Sequence, residues 1–291
     1  MAGNMKAVKL RMKSIQSTMQ ITKAMELVAS SKLRKAKDRA EASRPYFQIL
    51  HDTLEDIAAG NTDFMSPYTK CQDNKKWCYV VIAGDRGLAG GYNANLFKAM
   101  EAESQGRDYA VLPIGKKAVE YYKRRKIELV TESFAEAAEV SVSDCFEIAK
   151  LLCREYRSGS YGHIALCYTN FISMLSQEPG VSPMLPIDDL RQDKREGKTP
   201  DNPATPRSLI LYEPDSESVF DTIVPEYLAG LVYGAMCESV ASELAARRTA
   251  MDAATKNAGD MIEKLGLYYN RARQASITQE ITEIVAGAEE P

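Results

Sequence analysis

Histidine is scarce in this sequence, with only His51 and His163 among 291 residues. The two histidines stand alone in the sequence, far from each other, so we expect no metal site and no histidine-based catalytic site. The cysteines form no CxxC pair, and several lie inside apolar runs, which predicts buried free thiols in a reducing compartment. They are Cys71, Cys78, Cys145, Cys153, Cys167 and Cys237.

Long apolar runs are also missing. None approaches the roughly 18–20 residues that span a bilayer, so we expect no direct membrane span. The net charge of −3 gives no argument for nucleic acid, but residues 1–39 hold ten basic and two acidic residues, whereas the last twelve hold four glutamates and no base. A basic start is also typical of organellar presequences. The helical pattern continues without a cleavage-like break, which favours mature structure.

Proline and glycine are missing from most of the N-terminal end of the chain, and proline from most of the C-terminal end. Residues 4–44 contain neither, and no proline follows Pro225 until Pro291. Near the N-terminus, apolar or small residues recur at alternating steps of three and four, a heptad seam typical of a helix lying along another helix. This seam comprises Met5, Val8, Met12, Ile15, Met19 and Thr22.

A longer seam of the same kind runs through the C-terminal end. It comprises Val240, Leu244, Arg247, Met251, Ala254, Ala258, Met261, Leu265, Tyr268, Ala272 and Ala275. The pattern predicts a helix from about residue 222 to 285, about 95 Å long at 1.5 Å per residue. The two ends are therefore expected to pack against each other.

Beyond Ala275 the apolar stripe changes face. It continues as Ile277, Ile281 and Ile284. A two-residue step turns the stripe by about 200°, so we expect a different surface to receive it. The residues just before the switch are Arg271, Arg273 and Gln274. An arginine beside an amide suits docking against carboxylates of another chain, the alternative being solubilising side chains.

The middle of the chain alternates between two patterns. Strands are predicted over 77–83, 109–114, 126–130, 163–169 and 209–212, and helices over 92–103, 116–125 and 141–157. This alternation indicates an α/β sheet that is at least partly parallel. The polar stretch 188–207 contains three prolines and predicts a mobile surface loop. We expect an N-terminal coiled-coil helix over 1–60, a central α/β domain over 61–215 and a C-terminal coiled-coil helix over 216–291.

A glycine-rich turn, residues 84–91, lies between the first predicted strand and a helix, where a phosphate cradle would belong. Its spacing is GxxGxxGG, no P-loop Lys-Ser/Thr follows, and Asp85 places a negative charge where phosphate would sit. A structural turn is favoured, with nucleotide binding or a protein-contact loop as alternatives, and no cofactor is expected.

Three functional classes remain open on the residues alone. A coiled-coil scaffold is one, and a nucleotide-dependent α/β enzyme with helical extensions is another. The third is a nucleic-acid-binding arm built on the basic residues 32–39, although that stretch lacks interleaved aromatics. Micromolar nucleotide binding at residues 84–91 would favour the enzyme, and steeply salt-dependent DNA binding would favour the arm.

Three stretches resemble the gamma subunit of the F-type ATP synthase. They are MQITKAMELVASSKLRKA, which contains Ile21–Met25, DRGLAGGYN at Asp85–Asn93, and YYNRARQASITQEITEIVAGAEE at the C-terminal end. The family often has Cys where this chain has Ala89, and the cysteine-pair insert of plant chloroplast relatives is absent. The likeness covers essentially the whole chain.

The resemblance implies a non-catalytic rotor subunit rather than an enzyme. Its implied fold is a central Rossmann-like α/β domain plus a long antiparallel coiled coil formed by the N- and C-terminal helices. The coiled coil would turn inside three alpha and three beta subunits (3:3:1), and the α/β domain would contact the epsilon subunit and the membrane c-ring. The chain would thereby couple ion flow to ATP synthesis or hydrolysis, at the cytoplasmic face of a bacterial inner membrane.

The resemblance also implies site residues, none of them catalytic and none binding metal. Contacts to the beta subunit are expected from Met25, Arg273, Gln274, Thr278 and Glu280. The stripe Ile277, Ile281 and Ile284 would ride in an apolar collar of the sleeve. The ring and epsilon contacts would be made by Tyr212 and Glu213.

Overall fold

The computed structural model describes residues 2–60, 65–70, 72–134, 136–137, 140–187 and 212–288. Five helices and four strands lie within them. The helices are α1 Ala2–Gly60, α2 Tyr92–Glu103, α3 Lys116–Arg124, α4 Val142–Arg157 and α5 Ser216–Ala288. The strands are β1 Trp77–Ile82, β2 Tyr109–Ile114, β3 His163–Phe171 and β4 Gln177–Leu185.

The four strands form one mixed sheet in the order β2-β1-β3-β4. β1 pairs in parallel with both β2 and β3, whereas β4 runs antiparallel to β3. The parallel strands are nearly continuous apolar runs because both faces of the sheet are covered by helices. The predicted α/β fold with partly parallel order is confirmed.

Helices cover the sheet on both faces, as in a doubly wound fold. On one face, α2 and α3 bury Leu96, Met100 and Tyr122 against the sheet. On the other face, α4 packs with the second half of α1 and the first half of α5; examples are Leu152, Ile57 and Val232. The start of α4 is fixed by a capping box between Ser141 and Asp144.

One strand prediction fails, and another falls almost entirely outside the described residues. Residues 126–130 form only an isolated bridge from Leu129 to Val111 beside β2, because the stretch meets the sheet edge over a single residue. Of the predicted strand 209–212, only Tyr212 lies among the described residues, and it is not in a strand. The predicted loop 188–207 lies outside the described residues.

Strand β4 has no counterpart among the predicted strands. Its sequence, QEPGVSPML, contains Pro179, Gly180 and Pro183, which are typical of turns rather than of central strands. An edge strand tolerates these residues because one of its sides makes no ladder hydrogen bonds. β4 is held by eight residue pairs with β3, from Phe171↔Gln177 to Ile164↔Leu185.

The cysteines behave as predicted where they are described. Cys78, Cys145, Cys153, Cys167 and Cys237 are free and buried, and Cys71 lies outside the described residues. Burial raises the pKa of the Cys78 and Cys167 thiols to about 12. At neutral pH these thiols are protonated and unreactive.

The chain divides into two compact units. Unit 1 comprises Met1–Lys32 and Arg247–Pro291, and unit 2 comprises Leu33–Ala246. Both long helices continue from one unit into the other. Helix α5 starts at Ser216, earlier than the start near residue 222 that the seam pattern predicted, and includes Pro225. Its 73 residues give a length of about 110 Å.

Unit 1 is an antiparallel helix pair. The Thr22 and Thr255 hydroxyls are 2.8 Å apart, and Met12 Cε lies 3.9 Å from where a Cβ on Gly266 would be. Moving backward along α1 therefore corresponds to moving forward along α5. The predicted α1 seam is confirmed, since Val8 and Thr22 are buried and the other seam residues, Met5, Met12, Ile15 and Met19, are half-buried.

The predicted α5 seam agrees with the observed burial as far as Ala258 and is wrong at three positions beyond it. Met261, Tyr268 and Ala275 are exposed, and the half-buried residues there are instead Ile262, Tyr269 and Ser276. Apolar residues occupy both members of the pairs 261/262 and 268/269, so hydrophobicity alone selected the wrong line.

We predict that Gly115→Ala destabilises unit 2 by about 3 kcal/mol or more. Gly115 has φ +98°, and a Cβ there would lie 2.1 Å from the backbone oxygen of Ala83, which cannot move without disturbing the sheet. The control is Gly106→Ala, where φ is +76° but nothing lies within 4 Å of the added Cβ. It should cost only the backbone strain, about 1 kcal/mol. Urea unfolding of both variants measures the difference, and equal losses would contradict the steric argument.

We also predict that Ala258→Leu loosens unit 1, whereas Ala253→Leu leaves it unchanged. Ala258 is buried in the seam and Ala253 is exposed on the same helix. Overpacking a closely packed position costs about 1–3 kcal/mol. Hydrogen exchange of the amides in residues 8–22 should accelerate only in the Ala258 variant. Equal exchange in the two variants would mean that the seam does not pack as described.

Candidate functional site

The end of α5 carries an exposed apolar surface in unit 1. Ile277, Ile281, Ile284 and Val285 are 48%, 56%, 72% and 53% exposed. The preceding seam residue Ser276 is half-buried, so pairing ends within one turn of the predicted position. With the observed seam, the isoleucine stripe lies about 120° around the helix from the α1-facing line, rather than nearly opposite to it.

Arg273 and Gln274 lie at the base of this exposed segment. Both side chains are exposed, and neither makes a hydrogen bond or ion pair with the described residues. Thr278 donates its hydroxyl proton to the Gln274 backbone carbonyl at 2.9 Å, and Glu280 lies 3.5 Å from the Ser276 hydroxyl. The predicted cluster Arg273, Gln274, Thr278 and Glu280 is therefore brought together on one helical segment, with its arginine and amide donors available to a partner.

Met25 is not part of that cluster. It is half-buried on α1, one turn beyond Thr22, whereas Arg273 lies about 27 Å along α5 from Thr255 at 1.5 Å per residue. The two predicted contact points are therefore separate positions along unit 1.

A second exposed apolar line on α1 was not predicted. Leu10, Ile21 and Val28 are 71%, 57% and 55% exposed. Their spacings of 11 and 7 residues, three and two helical turns, place them on one line away from the seam. The same helical periodicity that identified the seam would have identified this line, had the apolar residues off the seam been plotted.

Tyr212 and Glu213 belong to unit 2, just before α5. Tyr212 is half-buried against the core formed with α4 and α5, and burial raises the pKa of its phenol. Glu213 is exposed. The start of α5 next to them is capped by Asp215, whose carboxylate accepts from the Ser218 amide at 2.7 Å. The segment before the capped start of α5 thus places an aromatic and an acidic side chain next to each other in the sequence.

Two carboxylates lie at the glycine-rich turn, one from the turn itself and one from α5. Asp85 Oδ1 accepts from the backbone N–H of Lys116 at 3.2 Å and of Ala137 at 2.9 Å. A Cβ on Gly84 would lie 2.8 Å from the carboxyl carbon of Glu243 on α5. Two acidic side chains therefore crowd the place where a phosphate would bind, which favours the structural interpretation of this turn.

The histidines have neighbours that the sequence did not reveal. His51 Nδ1 lies 3.6 Å from Glu55 and 3.9 Å from Asp52, all three partly exposed on α1. These three side chains lie along one helix and carry no metal assignment. His163 stacks on Trp77 in unit 2. Among the described helices, none combines the length and the hydropathy that a membrane span requires.

The fold is similar to that of known rotor subunits. The chain superposes on a chain of the Euglena gracilis mitochondrial ATP synthase rotor in rotational state 1 with a TM-score of 0.66, at 18% identity, covering 95% of this chain and 100% of that one. It matches a chain of the Tetrahymena thermophila mitochondrial ATP synthase central stalk and c-ring with a TM-score of 0.55, at 22% identity and covering 80% and 99%. At these identities the likeness concerns the fold.

Several relatives share a much higher sequence identity with this chain than these solved structures do. A family model described as ATP synthase matches residues 4–290. The ATP synthase gamma chain of Ruminococcus albus is 46% identical, covering 97% of this chain and 96% of the relative. That of Alkaliphilus metalliredigens is 41% identical, and the sodium ion specific gamma chain of Acetobacterium woodii is 38% identical, each covering 99% of both chains. Since these matches span nearly the whole length of both partners, the chain belongs to the ATP synthase gamma chain family.

Proposed function

We propose that this chain is the central-stalk rotor of an F-type ATP synthase, a non-catalytic subunit that couples ion flow through a membrane ring to ATP synthesis or hydrolysis. The observation that carries the proposal is the single exposed helix at the end of α5, with its isoleucine stripe and unpaired Arg273 and Gln274. A surface of this kind needs a partner, because exposed apolar stripes on a helix are typical of binding sites.

The partners proposed are three alpha and three beta subunits around unit 1, with the epsilon subunit and the c-ring at unit 2. The beta subunits would meet Arg273, Gln274, Thr278 and Glu280 at the tip and Met25 farther along. The isoleucines would ride in an apolar collar, which resists tilting without fixing an angle. Tyr212 and Glu213 would face the epsilon subunit or the ring.

The unpredicted line Leu10, Ile21 and Val28 supports contacts on more than one side of unit 1. Rotation requires that the same sleeve residues meet different faces of the shaft in turn. Each orientation stabilises a different conformation of the surrounding sites, so turning the shaft shifts their populations.

The proposed location is the cytoplasmic face of a bacterial inner membrane, as a peripheral protein. Support comes from the relatives in Ruminococcus, Alkaliphilus and Acetobacterium. Co-purification with nucleotide-binding alpha and beta chains in a 3:3:1 ratio would support the assembly. A chain that binds ATP with micromolar affinity by itself would instead favour the enzyme alternative.

We expect that replacing Arg273 and Gln274 together with alanine lowers coupled turnover of the reconstituted complex by about tenfold or more. The lost hydrogen bonds to charged groups are worth about 1.5–3 kcal/mol. ATP-driven ion pumping measures the effect, and circular dichroism of the free chain should show unchanged helicity. The matched control replaces Glu263 and Lys264, also adjacent and exposed on α5, and should pump normally. A parallel loss of helicity and pumping would make the pair structural.

A second expectation concerns order at the tip. In the isolated chain, amides of residues 277–285 should exchange rapidly, because the exposed stripe gives the last turns no tertiary support. In the assembled complex they should become protected, while residues 8–22 stay protected in both. Strong protection of the tip in the isolated chain would count against a collar contact.

A further inference from the structure

A polar cavity of about 510 Å³ lies at the amino ends of the three parallel strands, at the opposite edge of the sheet from the glycine-rich turn. Three short segments form it, one preceding each of β1 and β2 and one at the start of β3. Its lining residues are Asn74, Lys75, Lys76, Trp77, Gly106, Arg107, Asp108 and His163.

One wall of the cavity is a rigid stack. The Trp77 ring lies 4.4 Å from the His163 ring with 17° between their planes, and the Arg107 guanidinium carbon lies 4.2 Å from the Trp77 ring centre. Arg107 Nη1 also donates to Tyr79 Oη at 2.8 Å and to Glu103 Oε1 at 2.7 Å. Cation–π contact and these hydrogen bonds hold the guanidinium in place before any ligand arrives.

Two acceptors of the lining, the Asn74 amide oxygen and the Asp108 backbone carbonyl, are already used. The Asn74 amide donates to the carbonyls of Gly159 and Ser160, and its oxygen accepts from the Lys76 amide. The backbone carbonyl of Asp108 accepts from the Trp77 amide at 2.9 Å. The lining groups that can still bind a ligand are therefore mostly hydrogen-bond donors.

Those donors are cationic. A guanidinium has five N–H groups, and Nη1 uses its two, so three remain on Nε and Nη2 of Arg107. Lys76 pairs with Glu128 at 2.7 Å through one of its three protons. Lys75 is exposed and has no ion pair with the described residues. Three cations thus lie at the cavity: Lys76 and Arg107 are paired with Glu128 and Glu103, Lys75 has no ion pair with the described residues, and Asp108 is the one carboxylate in the lining itself.

We propose that this cavity binds a phosphate group, either free inorganic phosphate or the headgroup of an anionic phospholipid. A phosphate offers several acceptor oxygens in a tetrahedral arrangement, which matches donors converging from separate segments. Stacking of a nucleotide base is disfavoured, because the Trp77 ring is already in contact with Arg107 and His163.

The single tryptophan of the chain, Trp77, provides the measurement. Its fluorescence in the full chain should change saturably on titration with potassium phosphate at constant ionic strength, with a dissociation constant in the millimolar range. Lys75→Gln should weaken binding by about fivefold or more, since it removes an unpaired charge. Lys98→Gln, an exposed lysine on α2, should bind like the parent. Because Arg107→Gln alters the stack itself, phosphorus NMR line broadening should replace fluorescence for that variant.

The two sources of phosphate are separated by a vesicle assay. Co-sedimentation with phosphatidylglycerol vesicles that is lost in Lys75→Gln would identify the headgroup, and saturation by inorganic phosphate without such sedimentation would identify the free anion. Either result supports a phosphate site. A linear response to phosphate together with no vesicle binding, an equal affinity for acetate, or an unchanged affinity in Lys75→Gln would overturn the proposal.

Discussion

Close packing between the ends of α1 and α5 is the interaction on which the rest of unit 1 depends. An isolated helix is only marginally stable in water, and Gly259 and Gly266 on α5 each cost about 1 kcal/mol relative to alanine. The buried side chains of Val8, Thr22, Met251 and Ala258 supply the missing support. Because that support ends near Ser276, the last turns of α5 carry their apolar residues uncovered. The exposed tip is thus a direct consequence of where the seam stops.

Much of the architecture was predictable because the sequence signals were strong and local. Helices α2, α3 and α4 and strands β1 to β3 were placed within a residue or two, since buried parallel strands are continuous apolar runs. The α5 seam was harder, because neighbouring apolar residues at 261/262 and 268/269 make two lines equally hydrophobic. Choosing between them requires the partner helix, which sets the phase through Thr22 and Thr255. Edge strand β4 was missed because its stability comes from pairing with β3, not from its own residues.

The candidate sites also differ in how far they could be predicted from the sequence. Arg273 and Gln274 could be predicted as candidates because the move of the apolar stripe to another face is visible in the sequence of a single helix. The phosphate cavity was not, because its lysines, Arg107 and His163 come from three segments that only the parallel sheet brings to one edge. Spacing along the sequence therefore does not reveal that these residues lie close together. Trp77 is a lone aromatic in the sequence, and its place in the cavity follows only from the strands on either side of it.

The proline-bearing edge strand has a consequence for the chain before it meets any partner. A free sheet edge can template pairing with a second copy of the same protein. Within the described residues β4 has no strand on its outer side, and Pro179 and Pro183 have no N–H to offer to a further strand. This edge is therefore a poor template for self-association, and the same prolines make the strand difficult to recognise from its own sequence.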